Sequence, residues 1–206
     1  MQGLSVKQIS AAAAPAPPRL GRALVSALRV LALAAPLLTC AAPAQAAAGE
    51  YGYADESRDW GVAASERLRQ PPYHAPTPTQ VPGAQVVQTR QLQAMLAAPT
   101  PPVLIDVLSE PGHLTLAGAV WMPGIGRGEN FVDPVQSLVV QLLGQLAPGD
   151  KTKPMAFFCA GPDCWLSYNA AQRASAAGYT NVYWYRGGVA AWTAAGLPTG
   201  RTAGGR

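Results

Sequence analysis

The sequence predicts an α/β domain: a parallel sheet of about five strands with helices on both faces. Three observations carry this. Short apolar runs alternate along the chain with segments of helical periodicity. Prolines and glycines fall at the joins between them. Runs such as PMAFF are apolar throughout, as in strands covered on both faces.

Taken in order, AQVVQ at 84–88 predicts a strand, and Thr89 caps a helix over RQLQAMLAA in which Leu92, Met95 and Leu96 share one face. PPVLIDVL, bounded by prolines, predicts a buried strand, and GAVWMP another. Asp133-Pro134 opens an amphipathic helix, with Val135, Leu138, Val139, Leu142 and Leu143 at helical spacing and APGD ending it. PMAFFC is a strand, WLSYNAAQRASAAG a helix stopped at Gly178, NVYWY a strand, and GGVAAWTAAGLP a last short helix. The domain is thus read over 84–200, with a disordered tail at 201–206.

Upstream, Arg19, Arg22 and Arg29 border or enter the apolar run Ala23 to Leu38, which small residues follow. This is the pattern of a secretory signal peptide over 1–46, cleaved after Ala46 or, as a second choice, Ala48. A lipoprotein reading would instead modify Cys40. Residues 47–83 read as a proline-rich extended arm, with a short helix over SERLRQ. The chain has 15 Lys and Arg against 11 Asp and Glu. Lys7, Arg19, Arg22 and Arg29 precede residue 47 and every acidic residue follows it, so the remainder is near neutral. A nucleic-acid role loses its electrostatic support. No later apolar run approaches the ~18 residues needed to span a bilayer, so the processed chain is expected to be soluble and, given the signal, periplasmic.

Beyond the signal only Cys159 and Cys164 remain, with AGPD between them. Cys159 ends a predicted strand and the loop runs into a helix, the position where ligands bind in parallel sheets. The pair suits a nucleophile with a helper, a redox couple, or a staple; its spacing and the separation of His74 and His113 argue against a closed metal site, while soft copper ligation by the two thiols, aided by Met155, stays open. Loop amides and a helix N-terminus stabilise an anionic sulfur, and Gly161 supplies backbone freedom. Tyr183, Trp184, Tyr185 and Trp192 are expected in the packing; Ser167 and Asn169 are candidates to hold the loop.

VLIDVLSEP, LAGAVWMP, MAFFCAGPDCWLSYNAA and GYTNVYWYRGGVAAWTAAGLP, in that order over 84–198, resemble the signatures of the rhodanese family of sulfurtransferases. Cys164-Trp165 and GYTNVYWY further resemble the exported rhodanese-like proteins associated with pyrroloquinoline quinone (PQQ)-dependent alcohol oxidation. The resemblance implies that Cys159 carries a sulfane sulfur as a persulfide, with Cys164 beside it and a binding loop of Ala160, Gly161, Pro162, Asp163 and Trp165. Asp106 and Arg186 are candidate supports from their positions at strand ends alone. It implies no cofactor or metal, and as partners a small sulfur donor, a thiol acceptor or a periplasmic protein. Asp163 stands where active loops commonly carry a cation, Leu108 where many members have an arginine, and TLAGA replaces GHIPGA. These departures disfavour thiosulfate, a dianion. A thiol–disulfide redox protein and a non-catalytic binding module are the alternatives.

Overall fold

The computed structural model describes residues 49–203. The signal segment with Cys40 and the last three residues of the expected tail lie outside them. In chain order the elements are a 3-10 turn (Tyr53–Asp55), β1 (Gln85–Val87), α1 (Thr89–Leu96), β2 (Val103–Asp106), β3 (Leu114–Leu116), β4 (Val120–Trp121), α2 (Pro134–Leu146), β5 (Met155–Phe158), α3 (Trp165–Ala176), β6 (Val182–Tyr185), α4 (Gly188–Ala194) and β7 (Thr199–Arg201). Five strands pair in parallel in the order β1-β6-β5-β2-β4. All their carboxyl ends therefore lie on one edge, and β5, which precedes Cys159, is central.

Strand pleating sorts the apolar residues onto two faces. Ile105, Met155, Phe157, Val182 and Trp184 pack with Val139 and Leu143 of α2 and with Leu166, Tyr168, Ala170 and Ala171 of α3. Leu104, Ala156, Phe158 and Tyr185 pack on the other side with Leu92 of α1 and Ala191 and Trp192 of α4. Helices thus cover both faces, as continuous apolar strands require. Tyr183, Trp184 and Tyr185 serve this packing, with Tyr168 edge-on to Trp184 at 5.3 Å. Trp192 holds α4, its indole N–H donating to the Pro198 carbonyl at 2.8 Å.

Helix α2 starts as its sequence dictates: the Asp133 carboxylate accepts the Gln136 amide at 2.9 Å and Pro134 fills the first turn. Helix α1 starts one residue earlier than expected. Gln88 is its N-cap, and Thr89 is already helical. The Thr89 amide and hydroxyl both donate to Glu56 at 2.7 Å, so a distant carboxylate does the work expected of a local cap.

Two features depart from the sequence expectation. A second sheet joins β3 and β7 antiparallel, Thr115 opposite Gly200, and the Gly112 amide donates to the Ala203 carbonyl. Residues 201–203, expected in a disordered tail, are therefore tied down by backbone pairing. The SERLRQ helix also does not form. Its backbone, bent at Glu66–Arg67, is held by side chains of α3: the Ser65 carbonyl accepts from the Tyr168 hydroxyl and Gln172, and Asn169 brackets Arg69 by accepting its amide and donating to its carbonyl, both at 2.9 Å. An amide side chain that satisfies both backbone groups of one residue leaves that residue no helical partner.

Candidate functional site: a buried cysteine pair beneath the arm

Cys159 follows the last residue of β5, and Cys164 is the N-cap of α3. The two are disulfide-bonded, with Cα atoms 6.4 Å apart. The loop between them is clamped from two sides. From below, the Val189 and Ala190 amides of α4 donate to the Cys159 and Ala160 carbonyls at 2.9 Å. That approach requires a glycine at 188, not at 161. Gly188 has φ +57°, and a Cβ there would overlap the Cys159 carbonyl oxygen. The glycine singled out from sequence, Gly161, has no positive φ.

From above, the arm crosses the loop. The Ala75 amide donates to the Asp163 carbonyl and the Trp165 amide to the Tyr73 carbonyl, each at 2.8 Å, forming an antiparallel bridge of His74 with Cys164. The Thr77 hydroxyl donates to the Pro162 carbonyl. Cys159 is 1% and Cys164 6% exposed in consequence. His74, set aside from sequence as distant, lies at the site, with Nε2 3.2 Å from an Asp163 carboxylate oxygen. Only long-range placement of the arm could have revealed it.

Arg186, considered as a cation for the pocket, is fully engaged elsewhere. Nε donates to the Thr77 hydroxyl at 2.9 Å, and the two terminal nitrogens donate to the Glu56 carbonyl at 2.8 Å and the Thr77 carbonyl at 3.0 Å. The Trp60 ring covers the guanidinium at 4.7 Å. Burial pushes its pKa down. Asp106, at the same sheet edge, is buried with its oxygens committed: one accepts the Leu108 amide at 2.9 Å, the other faces the Thr115 hydroxyl and His113 Nε2, 2.7 Å away. Both residues tie elements together. Met155 opens β5 while Cys159 follows its far end, so the thioether does not meet the sulfurs.

Trp165 is buried with its ring 4.8 Å from Tyr168 and under the Arg69 guanidinium at 5.4 Å. Ala160, Gly161, Pro162 and Asp163 line a cleft of about 350 Å³ together with Ala54, Asp55, Trp60 and Ala190. No basic side chain lines it. Behind the loop, the Ser167 hydroxyl lies 3.2 Å from Cys159 Sγ. The cleft thus lies beside the loop, lined by two carboxylates and the Trp60 ring, and neither cysteine is among its lining residues.

A five-stranded parallel sheet covered by helices on both faces, with a cysteine just past the end of its central strand, defines the class as a parallel α/β domain with a strand-end cysteine. The rhodanese-like domain family matches residues 88–195, more than half of the chain, and the chain belongs to that family. Among solved structures it is similar to a thiosulfate sulfurtransferase from Pseudomonas aeruginosa, at 24% identity over 59% of this chain and 21% of that one, with a TM-score of 0.44. It is also similar to the rhodanese-like domain of an Anabaena protein, at 24% identity over 55% and 76% of the two chains with a TM-score of 0.42. A variant of EanB in complex with hercynine matches at 18% identity over 59% of this chain and 32% of that one, with a TM-score of 0.43. The chain thus spans about a fifth of the length of the Pseudomonas protein. No curated protein sequence matches it.

Proposed function

We propose that this protein is a sulfurtransferase-type persulfide carrier in which Cys159 takes up sulfur and Cys164 resolves it. The observation that supports this most is the pairing of a strand-end cysteine with a second cysteine, close enough to bond, at the start of the next helix. Thiolate attack by Cys159 on the outer sulfur of a donor R–S–SH forms the Cys159 persulfide and releases R–SH. The Cys164 thiol then attacks the inner sulfur, forming the Cys159–Cys164 disulfide and expelling hydrogen sulfide. A thiol reductant returns two electrons and two protons to restore the pair. If a thiophilic acceptor arrives first, it takes the outer sulfur and leaves both thiols reduced.

The cleft lining supports a donor that is not a dianion, because its charged walls are Asp55 and Asp163. Export to a periplasm and a setting in PQQ-dependent alcohol oxidation are parts of the same proposal, supported by the signal-like N-terminus and by the Cys164-Trp165 motif. A second reading, a dithiol–disulfide redox protein, is favoured by the closed disulfide itself. Exposure of reduced Cys164→Ser to a persulfide donor R–S–SH separates the two. Sulfur transfer predicts attack on the outer sulfur, so that Cys159 gains one sulfur atom and R–SH is released. The redox reading predicts attack on the inner sulfur, leaving a mixed disulfide of Cys159 with R and releasing sulfide, and no reaction favours a binding module.

A further inference from the structure

The loop chemistry leaves one polar group next to the sulfurs without a role. Ser167, in the first turn of α3, is 1% exposed, and its Oγ sits 3.2 Å from Cys159 Sγ and 3.4 Å from the Cys164 carbonyl oxygen. The same oxygen accepts the Trp184 indole N–H at 3.0 Å. An indole nitrogen only donates, so this contact fixes the serine as acceptor on that side and turns its proton toward the loop. Trp184 is fully buried in the sheet, which makes the orientation rigid. Among the described residues no hydrogen bond involves Cys164 Sγ, whereas Cys159 Sγ lies 3.2 Å from the Ser167 hydroxyl and 3.6 Å from the Cys164 carbonyl oxygen, to which a disulfide sulfur has no proton to donate. The other ionisable groups around the loop, Asp163 with His74 and Arg186, make no hydrogen bond to either sulfur.

We propose that Ser167 is a catalytic residue of this loop, with Trp184 as its positioning residue: the Ser167 hydroxyl donates to Cys159 Sγ and makes Cys159, not Cys164, the thiolate of the reduced pair. This rests on the reading of the loop as a site of thiol chemistry. While the disulfide is closed, the sulfur is a weak acceptor and the Cys164 carbonyl shares the proton. Once a thiol reductant has opened it, Cys159 loses its proton to solvent, and the hydroxyl gains an anionic acceptor within reach. Hydrogen bonds to a charged sulfur in a water-poor site are the strong kind. The asymmetry also assigns the order of events, since the better-stabilised thiolate meets the sulfur donor first.

The test is a pH titration of Cys159 by the 13Cβ chemical shift of labelled cysteine, in the full chain carrying Cys40→Ala and Cys164→Ala so that one thiol remains. Adding Ser167→Ala should raise the Cys159 pKa by about one unit, cutting the thiolate fraction near neutrality about tenfold. Trp184→Phe keeps the hydroxyl but frees it to rotate, and should raise the pKa by less. It serves as the deciding variant if Ser167→Ala does not fold. In the reduced chain with both loop cysteines, limiting iodoacetamide should label Cys159 in preference to Cys164, and Ser167→Ala should abolish that preference. A titration unmoved in a folded variant, or a labelling preference that survives Ser167→Ala, overturns the assignment. Both readouts use no sulfur donor, so failure of the sulfur-transfer reading leaves them intact and interpretable.

Discussion

At Arg186 a cation at a strand end, which from sequence looks available to an anionic substrate, is spent on structure. Three of its donors are satisfied by Glu56 and Thr77, both in the arm. Replacing it with alanine strands those acceptors without their partner and opens a void, so Arg186→Ala should cost about 3 kcal/mol of stability in thermal or urea unfolding. Loss of thiosulfate turnover with unchanged stability would instead make it a substrate group. Asp163 is the loop residue whose charge lines the cleft, together with Asp55. Wild type should turn over thiosulfate poorly, and Asp163→Arg should raise kcat/KM for thiosulfate roughly tenfold while leaving a neutral persulfide donor little affected. Efficient thiosulfate turnover by the wild type would contradict this. The cysteines, Asp163 and Trp165 could be grouped from sequence as candidates because they lie in one short loop that follows an apolar strand. His74, Glu56 and Thr77 were not, because they reach the site from the other end of the chain through backbone contacts that leave no periodic trace in sequence.

Elements with a strong period were read almost to the residue. Helix α2 carries its apolar stripe and its Asp-Pro start in the sequence, and the five core strands, each of four residues or fewer, announce themselves as short apolar runs. The β3–β7 ribbon was missed for the opposite reason: Thr199, Gly200 and Arg201 have no apolar pattern, and their pairing depends on where the chain returns after α4. Between elements, the Asp133–Arg173 pair ties the start of α2 to α3. Its nitrogen and oxygen are 2.8 Å apart, and Arg173 is fully buried, with further bonds to the Arg127 and Asn130 carbonyls and to Gln136. Burial pushes the Asp133 carboxyl up, but the Arg173 guanidinium and the amides of Gln136, Glu129 and Asn130 together hold it well below its usual value of 3.8. A depressed carboxylate contributes stability that is complete above that value and is lost as pH falls toward the folded one. Asp133→Ala should therefore cost about 3 kcal/mol near neutral pH, with the gap to wild type narrowing below pH ~4 in paired unfolding curves. A gap that widens in acid would mean that Asp133 is not ionised against Arg173.

At the scale of the whole molecule the arm is part of the fold rather than a leader to it. Leu68 and Val81 are buried, Thr77 is fully buried, and the segment runs along α3 from Gln172 to the cysteine loop before ending at Arg186. If the segment before it is a cleaved signal, N-terminal sequencing of the exported protein should begin near Ala47, leaving every arm contact in place. Lipid attached at Cys40 would contradict that assignment. The same arm explains why the sulfurs line no cleft: the bridge at His74 must part locally before a donor reaches Cys159. The account therefore turns on which sulfur is loaded once the pair is reduced. The most direct measurement is intact mass after reduction and exposure to a persulfide donor. Cys164→Ser should gain and retain one sulfur atom, Cys159→Ser should gain none, and wild type should lose the sulfur as sulfide and return to the disulfide. Sulfur found on Cys164, or on neither cysteine, would contradict the persulfide chemistry assigned to this loop.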